Sequence, residues 1–505
     1  MEKQPIRRGA LLGALLLAPA GAGMLAAMPA TPPQVSIAAL RLMMANGELT
    51  SERLITQALN AAAQRQQLNA FIHLDRHGAL KQAQEKDRRR LRGENGGPLQ
   101  GIPIAVKDNI HVAGMPNTAG TPLLRSFVPR ADAPVVMRLK AAGAVVLGKT
   151  NMHELAFGIT SNNAAFGAVG NAWDPLYIAG GSSGGTAVAV AAGMAVVGLG
   201  TDTGGSSRIP AALNGIVGFR PTIGRYPSEG LTRISSTRDT VGPMGRSVAD
   251  VALLDAVMAD EDTSLPPVGL EGLRLGVPRP YFYDGLEPLA ALRIEAMLAA
   301  LRGAGAVLVE AGIDRVAELN QAVSFPVVLF EAGPLLREYM ADNLPGRTLE
   351  ALAESIASPD VKTIFADIIN GDIPATAYRQ AIDRDRPLLK AAYADYFAKH
   401  RVRAIIFPTT PLAARPMREV TETVELNGKQ VPAFPIYIRN TDPGSNAGIP
   451  GLSIPLAAAP GEMPAGIEID GPEGSDRELL AIGAAIETLI RKIGSDNPAE
   501  MPPRN

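Results

Sequence analysis

The sequence predicts an α/β protein carrying an added helical layer, and three observations support this. Short runs rich in Val, Ile and Leu alternate with longer stretches of helical periodicity. A helix, a glycine and a strand follow one another in the same order at residues 135–147 and again at 301–309, as when one α/β unit is reused within a sheet. Between 289 and 395 the pattern turns mostly helical and more charged, as expected of an inserted layer that forms a lid or a substrate wall. At 505 residues the chain is long enough for one large α/β domain or several ordinary ones, with a sizeable core in either case.

Composition removes several classes of function. A net charge of −2 gives no reason to expect nucleic acid or an anionic membrane as a partner. There is no cysteine, which excludes thiol nucleophiles, thiolate metal sites and disulfides. The five histidines, His73, His77, His111, His153 and His400, form no recognised metal-binding motif, so neither a metal nor a cofactor is expected. At the N-terminus, Arg7 and Arg8 precede GALLGALLLAPAGAG and a charge-free stretch to Gln34. A charged start, apolar middle and small-residue end describe an export signal over residues 1–30, with adjacent arginines like those of a twin-arginine signal. The mature protein is then expected to begin near residue 30, in the periplasm or outside, without a membrane anchor.

From residue 35 to 66 the pattern is helical, broken at Asn46 and Gly47 and restarted at the N-cap residues Thr50 and Ser51. A helix over about 75–91 ends in Lys86, Arg88, Arg89, Arg90 and Arg92, a solvated helix end favoured by the helix dipole. GIPIAVKDNI at 101–110 reads as a buried strand with Lys107 at its far end. Taken alone, Lys107 is most simply a snorkelling side chain or the partner of Asp108. A helix over 135–142, capped by Gly143, leads to a strand over 144–147. Residues 143–150 match the phosphate-loop pattern G-x-x-x-x-G-K-T, but the strand occupies the place where the cradle must be, which speaks against nucleotide binding.

Two glycine-flanked serine pairs come next: GGSSGG at 180–185 and GTDTGGSSR at 200–208. The apolar run between them, 186–198, reads as one short buried helix. Glycines there let backbone N–H groups approach a ligand, and a helix N-terminus collects negative charge. For either loop alone, ordinary punctuation around a core helix is the simpler reading. Residues 209–222 read as sheet core, and Ser247 caps a helix ending near 258. Strands return at 404–407, 452–454 and 467–469, and a helix over about 476–493 closes the chain. Residues 439–446 form a dense polar loop, either a plain turn or a substrate-facing one.

No serine has an evident histidine and carboxylate to complete the familiar hydrolase triad. A lysine can serve as base if burial disfavours its charged form, and Lys107 after IPIAV has the local sequence for that burial. The three features together resemble the amidase signature family, which has a lysine after an apolar strand, a G-G-S-S-G-G loop and a G-T-D-x-G-G-S loop. Here Lys107 lies 75 positions before Ser182, and Ser182 lies 24 before Ser206. The similarity runs from about residue 35 to the C-terminus.

The resemblance implies the amidase signature fold, a mixed central β-sheet covered by helices on both faces with an inserted helical layer. It implies a single amidase domain over 31–500, with the signature core at about 70–260, the helical insertion at about 285–400 and a C-terminal sheet and helix at about 401–495. It also implies that Ser206 is the acylated nucleophile, that Ser182, on a cis peptide after Gly181, relays protons, and that Lys107 is the ultimate base. Backbone N–H groups of Thr203, Gly204, Gly205 and Ser206 would form the oxyanion hole, where one donor is worth about 3 to 4 kcal/mol in other hydrolases. Asp202 and Arg208 would pair to hold the loop, and Ala156, with Leu155 and Phe157, falls where the family's substrate channel lies.

The C-terminal stretch VELNGKQVPAFPIYIRNTDPGSNAGIPGLSIPLA resembles the indoleacetamide and mandelamide hydrolase branch. The implied activity is hydrolysis of small aryl or alkyl amides to carboxylate and ammonia or amine. A C-terminal peptide amidase, or an aryl acylamidase or carbamate hydrolase, is the alternative, and an amidotransferase subunit a remote one. The implied partner is a small-molecule amide, and the implied assembly a monomer or homodimer.

Overall fold

The structure, a computed structural model, describes residues 35–94, 96–459 and 461–496, so the expected export signal at 1–30 lies outside the described residues. Thirteen strands occur among them. They are β1 (Phe71–Leu74), β2 (Pro103–Lys107), β3 (Val145–Thr150), β4 (Val197–Asp202), β5 (Val217–Arg220), β6 (Thr240–Gly245), β7 (Arg274–Val277), β8 (Val307–Glu310), β9 (Ala404–Pro408), β10 (Thr423–Leu426), β11 (Lys429–Pro432), β12 (Gly451–Pro455) and β13 (Gly466–Asp470). Eleven form one mixed sheet in the order β1-β3-β2-β4-β6-β5-β12-β13-β9-β7-β8, and β10 and β11 form a separate hairpin. Pairing is parallel at β3-β2-β4 and at β9-β7-β8, and antiparallel through the middle. A parallel pair needs a covered crossover, which explains the fully buried apolar strands β2 and β3 and the helices over both faces.

The local signals act where they were read. Thr50 caps the helix Ser51–Gln64 by accepting from the Arg53 amide, and Ser247 caps Val248–Ala259; Asp75, read as the first helical residue, instead caps Arg76–Leu91 by accepting from the Gly78 amide. Two readings fail. The apolar run after the first serine pair is not one helix: the helix Gly184–Ala191 stops before Gly193, at φ +70°, and the remaining residues become β4. Residues 209–222 likewise divide into the helix Arg208–Asn214, ended by Gly215 in the left-handed conformation, and β5. A short all-apolar run has no periodicity to separate helix from strand, so a positive-φ glycine sets the boundary and sheet partners turn the residues beyond it into strand.

The expected insertion begins too early. The helix Pro288–Gly303 and the edge strand β8 belong to the sheet layer: Ile294, Leu298 and Leu301 pack with Leu275, Ile406 and Ile469. The separate layer starts with the helix Val316–Asn343, which holds Pro326 and Pro334. By length and composition this 28-residue helix is apolar enough to cross a membrane. It instead buries Ala332, Leu336 and Met340 against Leu155, Phe157, Leu352 and Phe365, and so closes the layer over the C-terminal ends of β2 and β3.

Phe365 is 1% exposed and stands edge-on to Phe157, with ring centroids 5.5 Å apart. Replacing it with Ala should cost about 3 to 5 kcal/mol, read as a shift in the midpoint of chemical denaturation.

Candidate active site

Lys107 ends β2, which parallel neighbours enclose on both sides, so its ammonium group has nowhere to snorkel and is fully buried. Its Nζ lies 2.7 Å from Ser182 Oγ and 2.8 Å from Thr201 Oγ1, and Asn109 Nδ2 donates to the same threonine oxygen at 3.1 Å. Burial lowers the lysine to a pKa of about 7, against the opposing charges of Asp202 and Asp239. Near neutral pH the group can therefore give and take a proton, which an exposed lysine cannot do.

Ser182 sits on a tightly walled turn. The Gly181–Ser182 peptide is cis, and Gly180 has φ +75°. A Cβ on Gly180 would lie 2.8 Å from Pro210 Cα, and one on Gly181 would lie 2.9 Å from the Gly158 carbonyl oxygen, so only glycine fits either position. The Ser182 carbonyl accepts from the His153 amide at 3.1 Å, and Ser183 N–H donates to the Ser206 carbonyl at 3.1 Å, stitching the two serine loops together. Ser183 precedes the first turn of the helix Gly184–Ala191 and donates its hydroxyl to the Thr201 carbonyl at 3.2 Å.

The second loop leaves the end of β4 and wraps around the Asp202 carboxylate, which accepts from Gly205 N–H at 2.8 Å and Ser207 N–H at 3.1 Å. Arg208 meets the same carboxylate through Nε at 3.2 Å and Nη2 at 3.1 Å, and Arg220 Nη1 meets it at 3.2 Å. Burial alone would raise Asp202, but Arg208 and Arg220 outweigh it and hold the carboxyl well below its usual range. This corrects one expectation. The Gly205 amide is spent on Asp202, which reduces the expected oxyanion donors to the amides of Thr203, Gly204 and Ser206. Gly205 serves sterically instead: at φ +140° it leaves room for Thr441, whose Oγ1 would lie 2.1 Å from a Cβ there.

Ser206 opens onto a cleft lined by Ala156, Phe157, Gly158, Ile159, Thr203, Gly204, Ile234, Arg238, Phe325 and Phe434, among others. The cleft is narrow, with a cavity volume of about 50 Å³. Ala156 lies in its wall at φ +64°, after Leu155 at φ +52°; two consecutive left-handed non-glycine residues are costly and fix the bend of that wall. Leu155 itself packs into the core behind. Arg238, the cation in the lining, is occupied, donating to Asp442 Oδ1 at 2.5 Å and to the Ser324 carbonyl at 3.0 Å. A larger, shallower depression of about 470 Å³ lies between Ile223, Thr237, Ile382 and Arg386, outside the serine loops.

Several residues that sequence reasoning passed over complete the site. Thr201 and Asn109 surround Lys107. The polar stretch at 439–446 is neither a turn nor substrate-facing: it forms the buried helix Asp442–Ala447, preceded by Thr441, whose hydroxyl donates to the Gly204 carbonyl at 2.7 Å. Glu468 on β13 takes Arg208 Nη1 at 2.5 Å. Thr441 and Glu468 stand more than 200 positions from the loop they support, and no local signal could have joined them to it. The phosphate-loop match is accounted for otherwise: residues 145–150 are β3, and Lys149 is buried 3.2 Å from Asp108. Among the described residues, no group of three or more His, Asp or Glu is placed to hold a metal ion.

The Amidase family description matches residues 53–480. The chain is 46% identical over 424 residues to an indoleacetamide hydrolase of Rhizobium radiobacter, covering 84% of this chain and 90% of that protein. It is 44% identical over 458 residues to a mandelamide hydrolase of Pseudomonas putida, covering 88% and 89%. The solved peptide amidase of Stenotrophomonas maltophilia superposes with a TM-score of 0.78 at 32% identity, covering 91% of this chain and 97% of that one.

Replacing Arg208 with Met would leave Asp202 and Glu468 buried without their shared cation. The expected loss is about 3 to 5 kcal/mol of stability, measured by urea denaturation.

Proposed function

The chain belongs to the amidase signature family and is an enzyme acting on amide C–N bonds; from that premise we propose that it hydrolyses small aryl-alkyl amides through an acyl-enzyme on Ser206. The observation that carries this reading is the buried lysine amine 2.7 Å from Ser182, beside a second serine that opens into an apolar cleft.

In the proposed reaction the neutral Lys107 amine accepts the Ser182 hydroxyl proton while Ser182 accepts the proton of Ser206, whose oxygen attacks the amide carbon. The carbonyl oxygen turns its developing charge toward the amides of Thr203, Gly204 and Ser206. The proton returns along the same path to the departing nitrogen, the C–N bond breaks, and ammonia or an amine leaves. A water molecule, deprotonated by the same relay, then releases the carboxylate. Asp202 and Arg208 act on none of these atoms; they hold the loop that does.

The acyl side is read from the cleft. Phe157, Ile159, Ile234, Phe325, Val328, Phe434 and Ile438 offer apolar surface, and the cation in the lining, Arg238, is already bound to Asp442. Such walls fit a flat aromatic group and offer nothing to a charged one. The indoleacetamide and mandelamide hydrolases that the chain resembles at 46% and 44% identity support the same choice. The peptide amidase, at 32%, keeps C-terminal peptide amides as the second reading. The reading includes export through residues 1–30, with the mature enzyme working outside the cytoplasm as a small-amide scavenger. Recovery of the full-length protein in the cytoplasmic fraction, uncleaved, would reject that part.

On a panel of phenylacetamide, indoleacetamide, mandelamide and a C-terminally amidated dipeptide, ammonia release should be fastest with an aryl amide; exclusive turnover of the dipeptide would move the assignment to peptide amidase. A fluorophosphonate probe should label Ser206 and fail on Ser206→Ala, while Lys107→Ala and Ser182→Ala should each lower kcat by more than about a hundredfold. Because Lys107 titrates at about 7 and must be neutral to act, kcat/KM should be lost as pH falls through that value and level off above it.

A further inference from the structure

The strand register carries a relation that the reaction scheme does not use. β4 and β6 run antiparallel with Asp202 opposite Thr240, so the next pair outward is Thr203 and Asp239, just where both strands end. Asp239 meets three donors there: Thr203 Oγ1 at 2.6 Å on one oxygen, and the amides of Ile234 at 2.7 Å and Ser235 at 3.0 Å on the other. All three are donors, so the arrangement suits the ionised carboxylate, which only accepts. The neighbouring Arg238 reaches past it to Asp442, while its Nε donates to the Thr203 carbonyl at 3.2 Å. Thr203 is thereby held by its hydroxyl and by its carbonyl, from two successive residues of one segment.

That segment is fastened in turn to the helical layer. Glu331, buried on the helix Val316–Asn343, accepts from Ser235 Oγ at 2.5 Å, from Thr237 Oγ1 at 3.2 Å and from Tyr378 OH at 3.0 Å. The oxyanion turn is thus braced against the wall that lines the cleft.

We propose that Asp239 is a positioning residue for the reaction: its carboxylate fixes the Thr203 end of the oxyanion turn and places a negative charge on the side of β4 that holds Lys107. Residues two apart along a strand share a face, and Thr201 bonds Lys107 while Thr203 bonds Asp239, so Asp239 lies on the lysine's side of β4; it and Asp202 are the two acids whose charge bears on Lys107. Asp202, at the end of β4, is matched by Arg208 and Arg220, whereas Asp239 accepts from no cation among the described residues; burial raises it, and its three donors and the charge of the neighbouring Arg238 oppose that. The other groups against the lysine amine, Ser182 and Thr201, are neutral, as is Asn109 beyond Thr201, and Asp108, next along β2, is paired with Lys149 on β3. Asp239 favours the charged amine, opposing the burial that lowers it. Removing the charge therefore moves the lysine titration to lower pH, and removing only the hydrogen bond does not.

The proposal rests on the reading of Lys107 as base and Ser206 as nucleophile, and two variants separate its parts. Asp239→Asn should lower kcat about tenfold or more with little change in KM and should move the acid limb of kcat/KM down by about half a pH unit. Thr203→Val should lower kcat similarly and leave the acid limb in place. An unmoved acid limb in Asp239→Asn, or full kcat in Thr203→Val, overturns the proposal, as does a kcat loss in either variant that merely follows a fall in Tm. If Asp239→Asn does not fold, Thr203→Val decides through kcat, because it keeps the carboxylate. Fluorophosphonate labelling of the wild type keeps the two levels apart: labelling at Ser206 with an unmoved limb refutes the role of Asp239 alone, whereas labelling elsewhere refutes the reading beneath it.

Discussion

The Asp202 carboxylate is the hub of the structure. Two oxygens at the end of β4 receive two backbone amides of the second serine loop and two guanidinium groups. Without that carboxylate the loop has no reason to curl, because its glycines give it freedom in place of a preferred shape. With it, the loop closes around a fixed charge, and Ser206 is presented to the cleft at the rim of the sheet. Such an arrangement costs solvation, since every charged member is fully buried, and buried pairs of this kind contribute more to a unique geometry than to net stability. Here the geometry is what matters, because a donor displaced by an ångström is a poor oxyanion donor.

Charge is rationed around the site in a consistent way. Arg208 is shared between Asp202 and Glu468, Arg220 turns to Asp202 and to the Arg238 carbonyl, and Arg238 goes to Asp442. Behind them, burial first and the charge of Glu468 second push Asp470 well above the usual carboxylate range. The cations are thereby kept on structural acids and away from Lys107, whose contacts are hydroxyls. In a dry interior burial brings a lysine among hydroxyls toward neutrality, and any nearby carboxylate works against that. Lys149, one strand over, is equally buried and burial lowers it too, but it is paired with Asp108 and serves the fold.

The helical layer contributes the other half of the site. The sheet and the serine loops supply reactive groups, and the helix Val316–Asn343 closes the cleft with Phe325 and Val328 while Glu331 anchors the segment that steadies Thr203. The apolar wall and the oxyanion turn therefore share one support. In the proposed reaction, acyl-group fit and transition-state geometry would then draw on the same helix.

Much of this is legible in the amino-acid order. The caps at Thr50 and Ser247, the strand ending at Lys107 and the two serine loops with their spacing are set by local chemistry, and a reader of the sequence finds them. The same reading misses the split of residues 186–198 into helix and strand, since an all-apolar run carries no period, and it begins the insertion too early, since the helix Pro288–Gly303 faces the sheet only once the sheet exists. It also assigns the Gly205 amide to the substrate, where the folded chain gives it to Asp202. Thr201, Asp239, Thr441 and Glu468 lie beyond it altogether, because they join the site through β2–β4 pairing, through β4–β6 register and through contacts across more than 200 residues. Which groups are present, and in what order, is a property of the chain itself; which lysine is neutral, which amide points outward and which acid faces the base depend on what surrounds each group, and only the tertiary structure supplies those surroundings.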